Sequence, residues 1–294
     1  MILRQALCWA TDALNAHDIE DSHLEAEVLL KHTLNLSPAQ LYAQPRQNLS
    51  SEEVDRLQQV IERRRLREPT AYITKHREFY GFDFYVDSRV LIPRPETELL
   101  VDEAIKYTTE HASYPLTPGN NFTIADIGTG CGSIAISLAM HLPQAKIYAI
   151  DISSPALEVA KINCLHHNVT KQVILLQGNL IEPLPEPVNL IVANLPYIKD
   201  SELPKLTPEI AKFEPRIALA GGQDGLGKIR KLLIQAREKL QPPCCLLLEI
   251  GETQNKMIAP LTDSCLSNAK VELIADLSGI ERAAKISLNA NAQY

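Results

Sequence analysis

The spacing of apolar positions divides the chain into three stretches. Over residues 1–75 they recur at helical intervals, with no glycine between them. Leu3, Leu7 and Ala10 form one stripe. Leu24, Val28, Leu29 and His32 form a second, behind Asp21-Ser22. Val54, Leu57, Val60 and Ile61 form a third, opened by Ser50 or Ser51 ahead of Glu52 and Glu53. Such periodicity, opened by a capping residue, predicts amphipathic helices, here a small bundle of about four or five. The charged run Arg63-Arg64-Arg65, with Arg67 and Glu68, leads out of it, and Pro69 stops the last helix.

The second stretch, residues 76–90, centres on Glu-Phe-Tyr-Gly-Phe-Asp-Phe-Tyr-Val at 78–86. Aromatic residues around Gly81 and Asp83 predict a linking β-hairpin. The third stretch, 91–294, opens with Leu91-Ile92-Pro93-Arg94-Pro95. This run cannot be helical, because a proline bars α geometry in the residue before it. Thr97 is then placed to cap a helix carrying Leu99, Leu100, Val101 and Ala104. From 121 onward apolar runs at 122–126, 146–151, 173–177, 188–193, 244–250 and 270–275 alternate with helical patterns, notably 133–142, 155–168 and 224–240. Near-continuous apolar strands alternating with helices predict an α/β domain, its parallel sheet covered on both faces. Residues 283–288 read as a final edge strand.

Composition narrows the function without naming it. The 294 residues suffice for one large domain and a small one. Twenty-nine basic residues stand against 36 acidic ones, a net charge of −7. That balance argues against direct nucleic-acid binding, which leaves a basic footprint. The six cysteines include no C-x-x-C pair, so neither a disulfide framework nor a metal site is expected, and a reducing cytoplasm fits. The N-terminus lacks the apolar core of a signal peptide. No apolar run approaches the about 20 residues that span a bilayer.

Two motifs carry chemistry. The first is Asp126-Ile127-Gly128-Thr129-Gly130-Cys131-Gly132, between a strand and a helix. Its glycines allow close backbone approach to a ligand, and the following helix N-terminus offers N–H groups to an anion. A dinucleotide loop has G-x-G-x-x-G, whereas position 133 is Ser. Asp151 closes the next strand, where an acid takes the ribose hydroxyls of a nucleoside. A nucleoside with an amino-acid tail, S-adenosylmethionine, fits this pair. An ordinary tight turn accounts for the glycines alone; loop, spaced acid and alternating strands together favour the cofactor. After the third strand, Asn179 is placed to bond an adenine amine and Leu180 to pack on its ring, and a plain turn would use the same residues.

The second motif is Asn194-Leu195-Pro196-Tyr197, directly after the apolar strand 188–193. The Asn194 side-chain oxygen and the Leu195 carbonyl can each accept one N–H of a planar NH2 group, aiming its nitrogen and stabilising the charge that develops. Pro196 stiffens the turn, and Tyr197 can cover the flat group. An activated methyl donor needs neither a metal nor a nucleophilic side chain.

With both motifs placed, the chain resembles a class I S-adenosylmethionine-dependent methyltransferase. More closely, it resembles the peptide chain release factor N5-glutamine methyltransferase family. The likeness covers nearly the whole chain and rests on Arg77-Glu78-Phe79-Tyr80-Gly81, Ile92-Pro93-Arg94-Pro95-Glu96-Thr97-Glu98, the glycine loop, Asn194 to Ile198, Glu214-Pro215-Arg216, Gly221-Gly222-x-Asp224-Gly225-Leu226 and Glu249-Ile250-Gly251. It implies a Rossmann-like, mostly parallel, seven-stranded sheet. It also implies methylation of the glutamine in the Gly-Gly-Gln tripeptide of release factors, with S-adenosylhomocysteine as product and the N-terminal bundle docking the release factor. Arg94 and Glu96 either line the substrate site or brace the fold. The family usually has Asn-Pro-Pro-Tyr, so Leu195 is a departure for which a slightly looser turn is expected. Competing readings are a glutamine methyltransferase acting on a ribosomal protein and an N6-adenine or RNA methyltransferase.

Overall fold

The computed structural model describes residues 1–111, 122–240, 244–266 and 268–288. They form two compact units, Met1–His76 with Thr207–Phe213, and Arg77–Leu206 with Glu214–Tyr294.

The first unit holds helices α1 (Leu3–Asn15), α2 (Ser22–Leu34), α3 (Pro38–Ala43), α4 (Ser51–Arg65) and α5 (Thr70–Thr74). Ser50 opens α4 with a reciprocal cap: its Oγ accepts from the Glu53 amide at 3.2 Å, and the Glu53 carboxylate accepts from the Ser50 amide at 2.8 Å. Leu3, Ala10, Leu29, Leu57 and Ile61 are buried. On α2 the inward face is Ala26, Leu29 and Leu30, and Leu24 lies exposed, so the apolar stripe is rotated from its sequence reading. The charged run is not uniformly solvated either. Arg64 is buried, donating to Glu25 at 3.2 Å and to Glu209 at 3.0 Å, and Arg67 also reaches Glu209 at 3.1 Å. These pairs bind the late segment Thr207–Phe213 into the helical unit, which no sequence pattern signals.

The second unit begins with the hairpin β1 (His76–Phe79) and β2 (Phe82–Tyr85). Tyr80 and Gly81 at its tip both have positive φ, 53° and 75°, as a tight two-residue turn requires. The Tyr80 amide donates to Glu98 and its hydroxyl to Asp102, tying the turn to α6 (Glu98–His111). There follow β3 (Thr123–Ile127), α7 (Ser133–His141), β4 (Lys146–Asp151), α8 (Ser154–His166), β5 (Val173–Gln177), β6 (Leu190–Ala193), the short β7 (Ile198–Lys199), α9 (Pro208–Phe213, in the first unit), β8 (Ala220–Gly222), α10 (Gly227–Lys239), β9 (Cys244–Glu249), α11 (Asn255–Cys265), β10 (Lys270–Ala275) and β11 (Glu281–Leu288).

The main sheet has seven strands in the order β10-β11-β9-β6-β3-β4-β5. Strands β9, β6, β3, β4 and β5 are parallel, and β11 is antiparallel to both its neighbours. The segment expected at the sheet edge therefore lies inside it, with β10 as the outer strand. Successive strand residues face opposite sides. Ile124, Ile147, Val192 and Leu247 pack with α6 and α7; Ala125, Ile150, Ile191 and Leu248 pack with α10 and α11. Both faces of the sheet are thus buried, which is why its strands read as unbroken apolar runs.

Candidate active site

In this order the chain reverses direction beside β3, with β4 on one side and β6 on the other. Open α/β sheets place ligands in that crevice, beyond the carboxyl ends of the strands. A pocket lies there, lined by Gly128 and Gly130 after β3, Asp151 at the end of β4, Gly178, Asn179 and Leu180 after β5, and Asn194, Leu195 and Pro196 after β6. Arg89, Val90, Leu91, Pro215, Ile217 and Lys228 complete its walls. Both sequence motifs therefore meet in one pocket.

The glycine loop is held from within and by the elements that follow it: the Gly128 and Thr129 amides donate to the Ile150 carbonyl at 2.8 and 3.0 Å, and Asn163 on α8 donates to the Cys131 carbonyl at 2.8 Å. Gly128, Gly130 and Gly132 have φ of 76°, 57° and 86°, the left-handed region that glycine enters without strain. Asp126 is fully buried and does not line the pocket. Its Oδ2 accepts from the Thr129 hydroxyl at 2.6 Å and from the Ala135 amide at 3.2 Å. The acceptor at the N-terminus of α7 is therefore Asp126 itself, in part replacing the ligand expected there. Thr129, Cys131 and Gly132 likewise shape the loop from behind and are not among the lining residues. Burial pushes the Asp126 carboxyl up to about 7 against the pull of its two donors. Burial also raises the Cys131 thiol, to about 11, so it is not a ready nucleophile.

Asp151 sits where a nucleoside ribose is expected. Its oxygens accept the amides of Gly130 and Ser153, each at 2.9 Å. Burial raises its carboxyl, and these amides pull the other way. The Asn179 Nδ2 donates to Glu182 at 2.9 Å, which turns its Oδ1 into the remaining acceptor.

The tetrapeptide after β6 is held by residues far away in sequence. The Asn194 Nδ2 donates to the Thr97 hydroxyl at 2.9 Å, and Thr97 donates to Glu249 Oε2 at 2.6 Å. Thr97 is thus no helix cap; it lies in a 3₁₀ turn, Pro95–Thr97, with its hydroxyl buried. Glu249, at the end of β9, is pushed by burial to about 7, and Thr97 and Tyr197 counter that push. Leu195 is 4% exposed and joins the core, its Cδ2 3.3 Å from where a Cβ on Gly128 would stand. The Leu195 side chain thus fills the space against the glycine loop. The backbone of Tyr197 lies in a cradle: a Cβ on Gly225 would stand 2.4 Å from the Tyr197 carbonyl oxygen, and one on Gly221 2.8 Å from the Pro196 carbonyl oxygen. Gln254 completes it, donating to the Gly225 carbonyl at 3.0 Å and to the Tyr197 carbonyl at 3.4 Å. The Gly221–Leu226 motif thus shapes the tetrapeptide.

Tyr197 does not line the pocket; its ring packs on Gly251, and burial raises its hydroxyl to about 12. Arg94 pairs with buried Glu214 at 2.7 Å, which favours a bracing role, and Glu96 is exposed. Neither residue lines the pocket.

Comparison with known proteins agrees with this architecture. Residues 5–74 match the PrmC N-terminal domain, and residues 108–222 match the methyltransferase small domain. The catalytic domain of hMettl16, solved with the MAT2A 3′UTR hairpin 6, superposes with a TM-score of 0.54 at 15% identity, over 84% of this chain and 85% of that one. That likeness is one of fold. The sheet order, the pocket at the switch point and the domain match together define a class I methyltransferase fold. A release factor glutamine methyltransferase of Moorella thermoacetica is 40% identical over 283 residues, covering 96% of this chain and 97% of that protein. A bifunctional methyltransferase of Rickettsia felis is 36% identical over 99% of this chain, which spans 59% of its length. The chain belongs to the release factor glutamine methyltransferase family.

Proposed function

We propose that this chain transfers a methyl group from S-adenosylmethionine to the side-chain amide nitrogen of the glutamine in the Gly-Gly-Gln tripeptide of peptide chain release factors. The observation that carries the reading is the convergence of Gly128, Gly130, Asp151, Asn194, Leu195 and Pro196 on one pocket. The cofactor fits these residues. Each Asp151 oxygen has a second lone pair for a ribose hydroxyl, Asn179 and Leu180 face the expected adenine, and the glycine backbone admits the amino-acid tail. When bound, the cofactor supplies a methyl carbon on a sulfonium sulfur: the N–C bond forms as the C–S bond breaks, S-adenosylhomocysteine is left, and the amide nitrogen releases one proton to solvent.

The chain's own residues do the positioning. Asn194 Oδ1 and the Leu195 carbonyl accept the two N–H groups of the glutamine amide, so the nitrogen faces the pocket while charge grows on it. Tyr197 stacks against the arriving side chain from outside the cofactor cavity. The helical unit, residues 1–75, selects the protein substrate and takes no part in the chemistry; its match to the PrmC N-terminal domain supports this. Cytoplasmic location fits the free cysteines and the lack, among described residues, of a helix long and apolar enough to cross a membrane. The test is parallel incubation of labelled S-adenosylmethionine with purified release factor, ribosomal protein and DNA. Label in the release factor's glutamine supports the reading, and label only in ribosomal protein or DNA rejects it.

A further inference from the structure

Asn194 and Glu249 occupy matching places on neighbouring parallel strands, each one residue beyond the Ala193–Leu248 pair. Between them stands Thr97, from the Pro-Arg-Pro-Glu-Thr-Glu run. The chain of bonds has a direction. Thr97 donates its single hydroxyl proton to Glu249 at 2.6 Å. The Thr97 oxygen is then left as an acceptor, which the Asn194 NH2 fills at 2.9 Å. That choice turns the Asn194 carbonyl oxygen away from Thr97. Without Thr97 the Asn194 amide could rotate by half a turn and present donors where an acceptor is needed. Glu249 also acts on the other end of the tetrapeptide, since the Tyr197 side chain interacts with the same carboxylate. Thr97 and Glu249 are both buried, so water does not compete for these bonds.

We propose that Thr97 and Glu249 are positioning residues of the methyl transfer, a buried Glu249–Thr97–Asn194 relay that fixes which end of the Asn194 amide meets the substrate. The relay deepens, and rests on, the glutamine-methylation reading. Neither residue touches substrate or cofactor; both act through Asn194 and Tyr197.

The test uses the full chain with Thr97→Val, which keeps the shape but deletes the hydroxyl, and Thr97→Ser, which restores it. Two readouts are taken. Single-turnover transfer to release factor at saturating cofactor should fall about 10- to 100-fold in Thr97→Val, the scale set by misplacing one reacting group. KM for release factor and calorimetric cofactor affinity should stay near wild type, and Thr97→Ser should recover most of the rate. Independently of any acceptor, the ¹⁵N side-chain amide of Asn194 should show slow hydrogen exchange in wild type and in Thr97→Ser, and fast exchange in Thr97→Val. Wild-type turnover or unchanged exchange in a folded Thr97→Val protein overturns the relay, as does failure of Thr97→Ser to recover the rate. If the wild-type chain leaves release factor unmethylated while the Asn194 amide is protected through Thr97, the functional reading falls and the relay stands.

Discussion

The two loops that meet in the pocket are secured in opposite ways. The glycine loop after β3 is fixed by partners three and nine residues from Asp126, by Asp151, 21 residues from Gly130, and by Asn163 on the next helix but one, 32 residues from Cys131. The tetrapeptide after β6 is fixed by Thr97, 97 residues away, by Gly225 and Gln254, and through Thr97 by Glu249, a further 152 residues on. A cofactor loop of this kind needs only a strand, a turn and a helix. The tetrapeptide is clamped from several elements at once, because no local turn fixes a side-chain rotation.

Leu195 is the point where the two loops touch, so Leu195→Ala should have the largest effect and blur the contrast. Truncating a buried leucine costs about 2–5 kcal/mol of stability. Both cofactor affinity and turnover should suffer, measured by chemical denaturation, calorimetry and single-turnover kinetics. Effects confined to one of the two would place Leu195 outside the contact with Gly128.

Asp151→Ala should act on the cofactor alone. Hydrogen bonds to a charged group are worth about 1.5–3 kcal/mol each, so losing both should drop affinity by roughly 10²- to 10⁴-fold, with turnover at saturating cofactor near wild type. Unchanged affinity by calorimetry, in a folded variant, would remove Asp151 from the cofactor site.

Gly225→Ala sharpens the other side. Its Cβ would press on the Tyr197 carbonyl, at a φ of 77°. Overpacking of this kind costs about 1–3 kcal/mol. Turnover should fall while cofactor affinity holds; a loss of affinity equal to the loss of rate would show that the loops are not separately secured.

A pH dependence is shared by both loops. Asp126 and Glu249 are each lifted by burial to about 7, from 3.8 and 4.5. Between its ordinary and folded values each binds its proton better in the folded chain. Stability is therefore full at the acid end and falls as pH rises through about 7, with a slope of at most about 1.4 kcal/mol per pH unit for each group. Glu249→Gln and Asp126→Asn should each flatten part of that fall, followed by circular dichroism in urea. An unchanged profile in both would mean that neither carboxyl titrates in this range.

The same contrast explains what the sequence made legible. The strands of the sheet, the glycine loop, Asp151 and the tetrapeptide are local patterns, and each appears as a short run of residue types. Thr97 looked like a helix cap, because its position before Glu98 and a helical stripe is what a cap requires. Its actual partners, Asn194 and Glu249, are brought to it only by strand order. Glu249 carried one usable signal, an acid closing a fully apolar strand. Segment Thr207–Phe213 gave none, since its place depends on Glu209 meeting Arg64 and Arg67. The placement of β11 inside the sheet likewise rests on pairing, to which a single strand's pattern is blind.

The most direct measurement is the methyl-transfer step in Asn194→Ala. Single-turnover transfer from saturating S-adenosylmethionine to release factor should fall about 10²- to 10³-fold, as when one preorganised polar contact to a developing charge is removed, while calorimetry gives a near wild-type cofactor affinity. Near wild-type transfer in that variant would contradict the assignment and place the group that aims the amide nitrogen elsewhere in the pocket.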